Sequence, residues 1–280
     1  MTKTLRLIAP DWQGGNRPEY YTGAELLTHL VPKNNHQQEV RLDIAPPTKT
    51  LTTENGVFGQ SDVLNNMRLA QEAIEANNPD KIITLGGTCL VSQAPFDYLS
   101  GEYGEDLGVI WIDAHPDVSN PELFTNEHAM VLGNLVHQGD PKLQKEVQHP
   151  LSPNSVLYVG LQEPNDDEKV VLNQLNIASQ VSVDIEAIQK WISQHQFKKL
   201  AIHFDLDALS PELFHSTYFS EPGKTDYPAS SGALSLLDVG HLLEQLSETN
   251  DIVGLTVAEY LPWDAIALKK LFNKLPIFKD

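Results

Sequence analysis

Short apolar runs rich in β-branched residues recur along the chain at Leu5–Ala9, Val40–Ile44, Lys81–Leu85, Val109–Asp113, Ser155–Gly160, Gln180–Val183, Lys199–Asp205 and Ile252–Val257. Each has the length of a strand, and branched side chains fit a pleated, buried surface. Between many of them the apolar positions fall at helical spacing instead, as in Val63–Ala76, Ile185–His195 and Leu236–Leu246. Strands alternating with helices predict βαβ units, and therefore a mostly parallel sheet covered on both faces. The simplest assembly puts all eight runs in one sheet, giving a single three-layer α/β domain over residues 1–280.

Two stretches break the alternation. Ala45–Gln60 contains Pro46, Pro47 and Gly56, and Pro211–Ser231 contains Pro222, Gly223 and Pro228, so both read as long loops. Long loops inside compact domains are usually functional or mobile. The second starts four residues after Asp207, which makes it a candidate wall for a site at that position.

Composition adds limits. Of the 280 residues 41% are hydrophobic and 20% charged, enough for a sizeable core and far from a disordered composition. The 38 acidic against 19 basic residues give a formal charge of −19, which repels nucleic acid and anionic membranes and attracts cations or metals. Most of these carboxylates need no reading beyond solubility. The single cysteine, Cys89, cannot form an intrachain disulfide, as in proteins of a reducing compartment. Met1–Gly15 lacks an apolar signal region, and no run of about 18 apolar residues occurs. A cytoplasmic location is therefore expected.

Chemistry concentrates where two apolar runs end. Trp111-Ile112-Asp113-Ala114-His115-Pro116-Asp117 carries metal-competent side chains at alternate positions, which share a face in extended backbone. Leu200-Ala201-Ile202-His203-Phe204-Asp205-Leu206-Asp207 repeats the pattern. The bland alternatives are a surface turn for the first and a helix cap or ion pair for the second. Carboxylates emerging from buried strands need a partner to offset desolvation, which favours a metal site. Ligands bind at the carboxyl ends of parallel strands, where both motifs fall. The donors exceed the needs of one divalent ion, and the oxygen-rich set suits manganese better than zinc. A two-metal centre could hold a hydroxide at neutral pH and present it to an electrophilic carbon.

Taken in order, Gly86-Gly87-Thr88-Cys89, Asp113-Ala114-His115-Pro116-Asp117, His203 through Pro211 and Ala258-Glu259-Tyr260-Leu261-Pro262 resemble the signature motifs of the arginase/agmatinase (ureohydrolase) family. The resemblance implies an arginase-like eight-stranded α/β fold with two Mn2+ per chain, hydrolysing a small-molecule guanidino substrate to urea and an amine. It also implies a homo-oligomer, a trimer or hexamer. By motif, Asp113 and Asp205 would bridge the ions, Asp117 would bind one, and His115 with Asp207 the other. His128 resembles the proton-shuttling histidine, and Glu259 the acid that pairs with the substrate guanidinium. Asp117 would also orient the nucleophile. For His128 the alternative is a helix-start or surface histidine, and for Glu259 a cap on the following helix.

The first motif departs from the family pattern, Gly-Gly-Asp-His, by placing Thr88 and Cys89 where an acid and a ligating histidine are expected. A thiolate suits zinc or iron better than manganese. Three readings follow: a guanidino hydrolase with both metals and one weakened site, a mononuclear amidohydrolase like the fold-related deacetylases, or a catalytically silent binding or regulatory protein. His203 lies two residues before Asp205 on the same strand face and could supply the missing imidazole, but its depth favours a histidine hydrogen-bonded within the sheet. For substrate, Val118–Asn126 looks more like the arginase version of its loop, in which Ser119 and either Thr125 or Asn126 would receive an α-carboxylate. Glu122 opposes that role, and Gly160–Asp166 only loosely resembles the segment that receives an amino group. Arginine is the first choice of substrate.

Overall fold

A computed structural model of the chain describes residues 2–275 and 277. In chain order its first half comprises β1 (Thr4–Ala9), α1 (Pro18–Leu30), β2 (Gln38–Arg41), β3 (Thr53–Glu54), β4 (Val57–Phe58), α2 (Gln60–Asn77), β5 (Lys81–Gly86), α3 (Gln93–Tyr103), β6 (Leu107–Ile112) and α4 (Val131–Leu135). The second half comprises β7 (Val156–Val159), α5 (Asp166–Leu175), β8 (Ala178–Gln180), α6 (Ile185–His195), β9 (Lys199–Asp205), α7 (Leu236–Thr249), β10 (Asp251–Ala258) and α8 (Trp263–Phe272). Each of the eight apolar runs overlaps or adjoins a strand of one sheet, ordered β2-β1-β5-β10-β9-β6-β7-β8. Every neighbouring pair in it is parallel.

The alternating pleat distributes side chains to two cores. On β6, Val109 and Trp111 face the side that also holds Val63 and Met67 of α2 and Leu99 of α3. Ile110 and Ile112 face the other, with Ile188 and Ile192 of α6 and Val239, Leu242 and Leu246 of α7. A strand buried on both faces must be apolar throughout, which is why β6 reads as an unbroken run. The result is a three-layer α/β domain.

The peripheral strands sit differently from their sequence signal. The second run predicts Val40–Ile44, whereas β2 is Gln38–Arg41; the sixth predicts Gln180–Val183, whereas β8 is Ala178–Gln180. Both are edge strands with exposed or half-buried residues. After β2 the hydrophobic signal marks the chain entering the core at Leu42 and Ile44, whereas after β8 Val181 stays exposed, so its apolar run does not mark a buried segment. Inside Ala45–Gln60 the chain forms the β3–β4 hairpin, with Asn55 and Gly56 at its tip at φ of +50° and +90°. Asn-Gly is the pair best suited to such a turn. The hairpin is pinned to the 118–126 segment by Phe58 N–H donating to the Thr125 carbonyl at 2.9 Å.

Candidate metal centre

The four strands in the middle of the sheet, β5, β10, β9 and β6, end at one place. Register sets their ligands level: Ile112 pairs with Phe204, and Ala258 pairs with Asp205. Asp113 therefore leaves β6 beside the last residue of β9, while Glu259 lies one step beyond β10. Cys89 follows β5 by three residues. All of Cys89, Asp113, Asp117, Asp205, Asp207 and Glu259 are buried.

Asp113, His115 and Asp117 were expected to converge by strand alternation, and their geometry differs. The strand stops at Ile112, and the His115 N–H donates to Asp113 Oδ1 at 2.7 Å in a side-chain-closed turn. Asp117 then takes a left-handed backbone at φ +50°. Asp205 repeats the device, its Oδ1 accepting from the Asp207 N–H at 2.6 Å. A carboxylate that closes its own turn hydrogen-bonds backbone groups that the strand can no longer satisfy.

Four overlapping sets of ligand atoms lie within 4.8 Å of one another: Cys89, Asp113, His203 and Asp205; Asp113, His115 and Asp207; Asp205, Asp207 and Glu259; and Cys89, His128 and Glu259. Asp113, Asp205, Asp207, Glu259 and Cys89 each belong to two of them, so the sets form one continuous cluster. Asp117 belongs to none of these sets, but its Oδ2 is buried without a hydrogen-bond partner among the described residues, as is Oδ1 of Asp207. His115 Nδ1 lies 3.2 Å from Asp207 Oδ2, while Nε2 lies 3.0 Å from the Ser230 carbonyl. A carbonyl only accepts, so Nε2 carries a proton; Nδ1 faces the Asp207 and Asp113 carboxylates and would offer its lone pair only to a cation bound between them.

Glu259 does not cap α8, whose N-cap is Pro262. It sits at φ +64°, its N–H donating to the Gly87 carbonyl at 2.7 Å. Its Oε1 is 2.7 Å from His128 Nδ1 and 3.6 Å from Cys89 Sγ, and Tyr20 Oη donates to Oε2. Cys89 Sγ lies 2.7 Å from Asp205 Oδ2. Behind it, where the first motif lacks its acid, Thr88 donates to Asp11, which also accepts from Asn66 and from the Gly14 N–H. Two acids of the centre thus hold left-handed backbone, a strain found mostly at functional sites.

Burial and the surrounding charges decide protonation. Burial, reinforced by Asp113, pushes Asp117 well above the carboxylate range. Burial with Asp207 and Glu259 does the same to Asp205. Burial opposes the charged form of His115, but Asp207 and Asp113 outweigh it and raise the ring well above its usual value. For His128, burial is likewise outweighed, by Glu259. Against burial, the His115 and His203 rings hold Asp113 low, and His128 and Tyr20 hold Glu259 low. Buried carboxylates crowded this closely, with unpartnered oxygens on Asp117 and Asp207, fit divalent cations.

A pH dependence follows. Asp117 and Asp205 are raised on folding, so the stability they contribute is complete below their unfolded value, about 3.9, and is lost as pH climbs through the folded value. His115 and His128, also raised, lose their contribution in the same direction above about 6.5. Asp113 and Glu259, lowered, lose theirs only as pH falls below about 4. Protein stripped of divalent ions should therefore melt at a higher temperature at pH 5 than at pH 8. Melting curves in chelator check this; equal or reversed temperatures would remove the charge-crowding account.

The centre forms the floor of a cavity of about 400 Å3. The Pro211–Ser231 segment does form one wall, through Tyr218, Phe219, Tyr227 and Ser230. Ser119 and Asn126 line the cavity, and Asn126 Oδ1 is buried without a partner among the described residues. Thr125 is exposed and lies outside the lining, because its carbonyl is turned to the β3–β4 hairpin.

Comparison with known proteins bears on what this architecture is. The sequence model described as the arginase family matches residues 28–266. The chain belongs to the arginase family. An arginase of Staphylococcus aureus (strain MSSA476) is 23% identical over 230 residues, 77% of this chain and 76% of its own. The crystal structure of Entamoeba histolytica arginase in complex with L-ornithine superposes with a TM-score of 0.76 at 20% identity, covering 94% of this chain and 92% of that one. Native arginase from Bacillus caldovelox gives 0.76 at 19% identity over the same shares. At these identities the structural likeness establishes the arginase fold alone.

Within this arginase-family chain several cavity residues escaped sequence reading. Asp11, behind the cavity and hydrogen-bonded to Thr88, follows the apolar run Leu5–Ala9 by two residues, much as Asp113 and Asp205 stand at the ends of theirs. Tyr20 and Arg17 come from the start of α1 and Glu168 from the first turn of α5, whereas Glu163 lies in the Gly160–Asp166 segment. Nothing local distinguishes these from ordinary surface residues; only the fold brings them to the cavity. No helix among the described residues is long and apolar enough to cross a membrane.

Proposed function

We propose that this protein is a metal-dependent ureohydrolase that cleaves a guanidino compound, arginine first among them, to urea and an amine. The observation that carries the reading is the convergence of His115, Asp205, Asp207 and Glu259 on the floor of one cavity, with Asp113 buried within ligand distance of His115 and Asp207. Asp113, His115, Asp117, Asp205 and Asp207 would hold two divalent cations, with Asp113 and Asp205 shared between them. When bound, such ions lower the pKa of water and polarise the carbon under attack.

The chain's own groups do the rest. The unpartnered Oδ2 of Asp117 accepts a hydrogen bond from the attacking water and orients it. Glu259, fixed by Tyr20 and His128, pairs with the cationic guanidinium in a dry environment. His128 has Nδ1 committed to Glu259, which leaves Nε2 to pass a proton to the departing amine. Around the cavity, Ser119, Asn126 and Arg17, the last paired with Glu221, suit a carboxylate, and Glu168 with Glu163, the latter paired with Lys169, suits an ammonium. An amino acid carries both groups at one end, which is the reason for placing arginine ahead of its decarboxylated analogue.

Urea release from arginine, agmatine and other guanidino compounds by manganese-loaded protein tests this. Arginine should give the highest kcat/KM, by about 10-fold or more over agmatine if one charged rim contact worth about 1.4 kcal/mol is lost. Absence of urea from every compound at full metal loading would leave the silent-member reading in its place.

A further inference from the structure

His203 was expected to be hydrogen-bonded within the sheet, and only half of that expectation is met. It lies on the face of β9 that also carries Asp205, is fully buried, and stacks on Trp111 with ring centroids 3.9 Å apart and an interplanar angle of 13°. Nδ1 is 2.8 Å from Ser92 Oγ. Nε2 is buried and has no hydrogen-bond partner among the described residues, and it lies 3.7 Å from Asp113 Oδ2. A core histidine packed for stability pairs both nitrogens, since a buried polar atom left alone is costly. Trp111 blocks one face of the ring and fixes where that nitrogen points. Trp111 Nε1 in turn donates to Asp113 Oδ2 at 3.1 Å, orienting the carboxylate beside it.

We infer that His203 Nε2 and Cys89 Sγ, with Asp113 and Asp205, form a four-ligand thiolate–imidazole metal site, the imidazole coming from β9 in place of the one absent after β5. The four ligand atoms lie within 4.8 Å of one another. Nδ1–H donates to Ser92, which leaves the Nε2 lone pair for the metal, the usual division of labour in a ligating histidine. Cys89 gives its proton to solvent as the Sγ–metal bond forms. One sulfur, one nitrogen and two oxygens make a site for zinc or ferrous iron more than for manganese. The centre then has unlike halves that share Asp113 and Asp205: this one, and an oxygen-rich half with His115 and Asp207 that takes manganese. The inference rests on the cluster being a metal centre, as the proposed function requires.

The full chain, stripped of metal and titrated with cobalt(II), separates the two claims. Two equivalents should bind, one of them bringing a thiolate-to-cobalt charge-transfer band. Cys89→Ser, nearly isosteric, should abolish the band. His203→Gln should weaken that equivalent by about 100-fold or more and leave the other in place, given that even outer partners of a metal site are worth about 10–100-fold. NMR of the unaltered cobalt protein needs no variant to fold: two exchangeable, strongly shifted imidazole N–H signals are expected, from His115 and His203. Zinc should displace the cobalt that gives the band, and manganese should not. Two bound equivalents without the band, or a single shifted imidazole signal, would overturn the inference and leave the metal centre standing. No bound cobalt at all would overturn both.

Discussion

Asp205→Asn is expected to abolish most metal binding and to lower guanidino hydrolysis by more than about 100-fold, because even outer-shell partners of a metal contribute about 10–100-fold. Asp205 touches both halves of the cluster, lying with Cys89, Asp113 and His203 on one side and with Asp207 and Glu259 on the other. The same change should have the opposite sign on the metal-stripped protein. There Asp205 is a buried acid whose charge is opposed by burial, Asp207 and Glu259, and an amide removes that repulsion. The amide oxygen can still accept from the Asp207 N–H. Melting should therefore rise in chelator and cease to respond to added divalent metal. A variant that melts lower in chelator and still gains stability with metal would mean that Asp205 is a structural acid and not a ligand.

Gly87→Ala should be among the most damaging single substitutions away from the ligands themselves. A Cβ at Gly87 would lie 1.6 Å from the carbonyl oxygen of Asp11, and backbone cannot step aside as a flexible side chain can. Gly87 also accepts from the Glu259 N–H and donates to the Ala9 carbonyl, so three strand ends meet there. Displacement costs at the upper end of overpacking, about 3 kcal/mol, and should lower the melting temperature by roughly 5 °C. It should also lower metal affinity by moving Glu259 and the Asp11 loop. Gly240 in α7 has nothing within 4 Å of its added Cβ, and Gly240→Ala should stabilise by about 0.5–1 kcal/mol. If the two variants melt alike, close approach of backbone does not set the packing at the sheet's centre.

The central strands were legible in sequence because burial on both faces leaves little room for polar residues. Lys199–Asp205 matches β9 to the residue, and Ile185–His195 matches α6. The edge strands β2 and β8 were displaced by a few residues because exposure removes that constraint. For the site, strand-end acids gave Asp113 and Asp205 directly. The turns that deliver His115 and Asp117 did not follow from alternation, since side chains closing on their own backbone replace the ladder there. Tyr20, Arg17 and Glu168 lay beyond any local reading, being far in sequence from the ligands they approach. Whether the first motif's cysteine leaves a deficient site was likewise a question about a different strand, where His203 Nε2 faces Asp113.

The strand order has a consequence for how the chain reaches this state. β10 lies between β5 and β9, yet among the described residues it is the last strand of the sheet in chain order. Until Asp251–Ala258 inserts, the molecule is two half-sheets, β2-β1-β5 and β9-β6-β7-β8, each with an open apolar edge. Joining them requires contacts between residues separated by most of the sequence, which makes the step slow and leaves those edges able to pair with other chains meanwhile. A nascent polypeptide therefore cannot complete its centre until Asp251–Ala258 and Glu259 have left the ribosome.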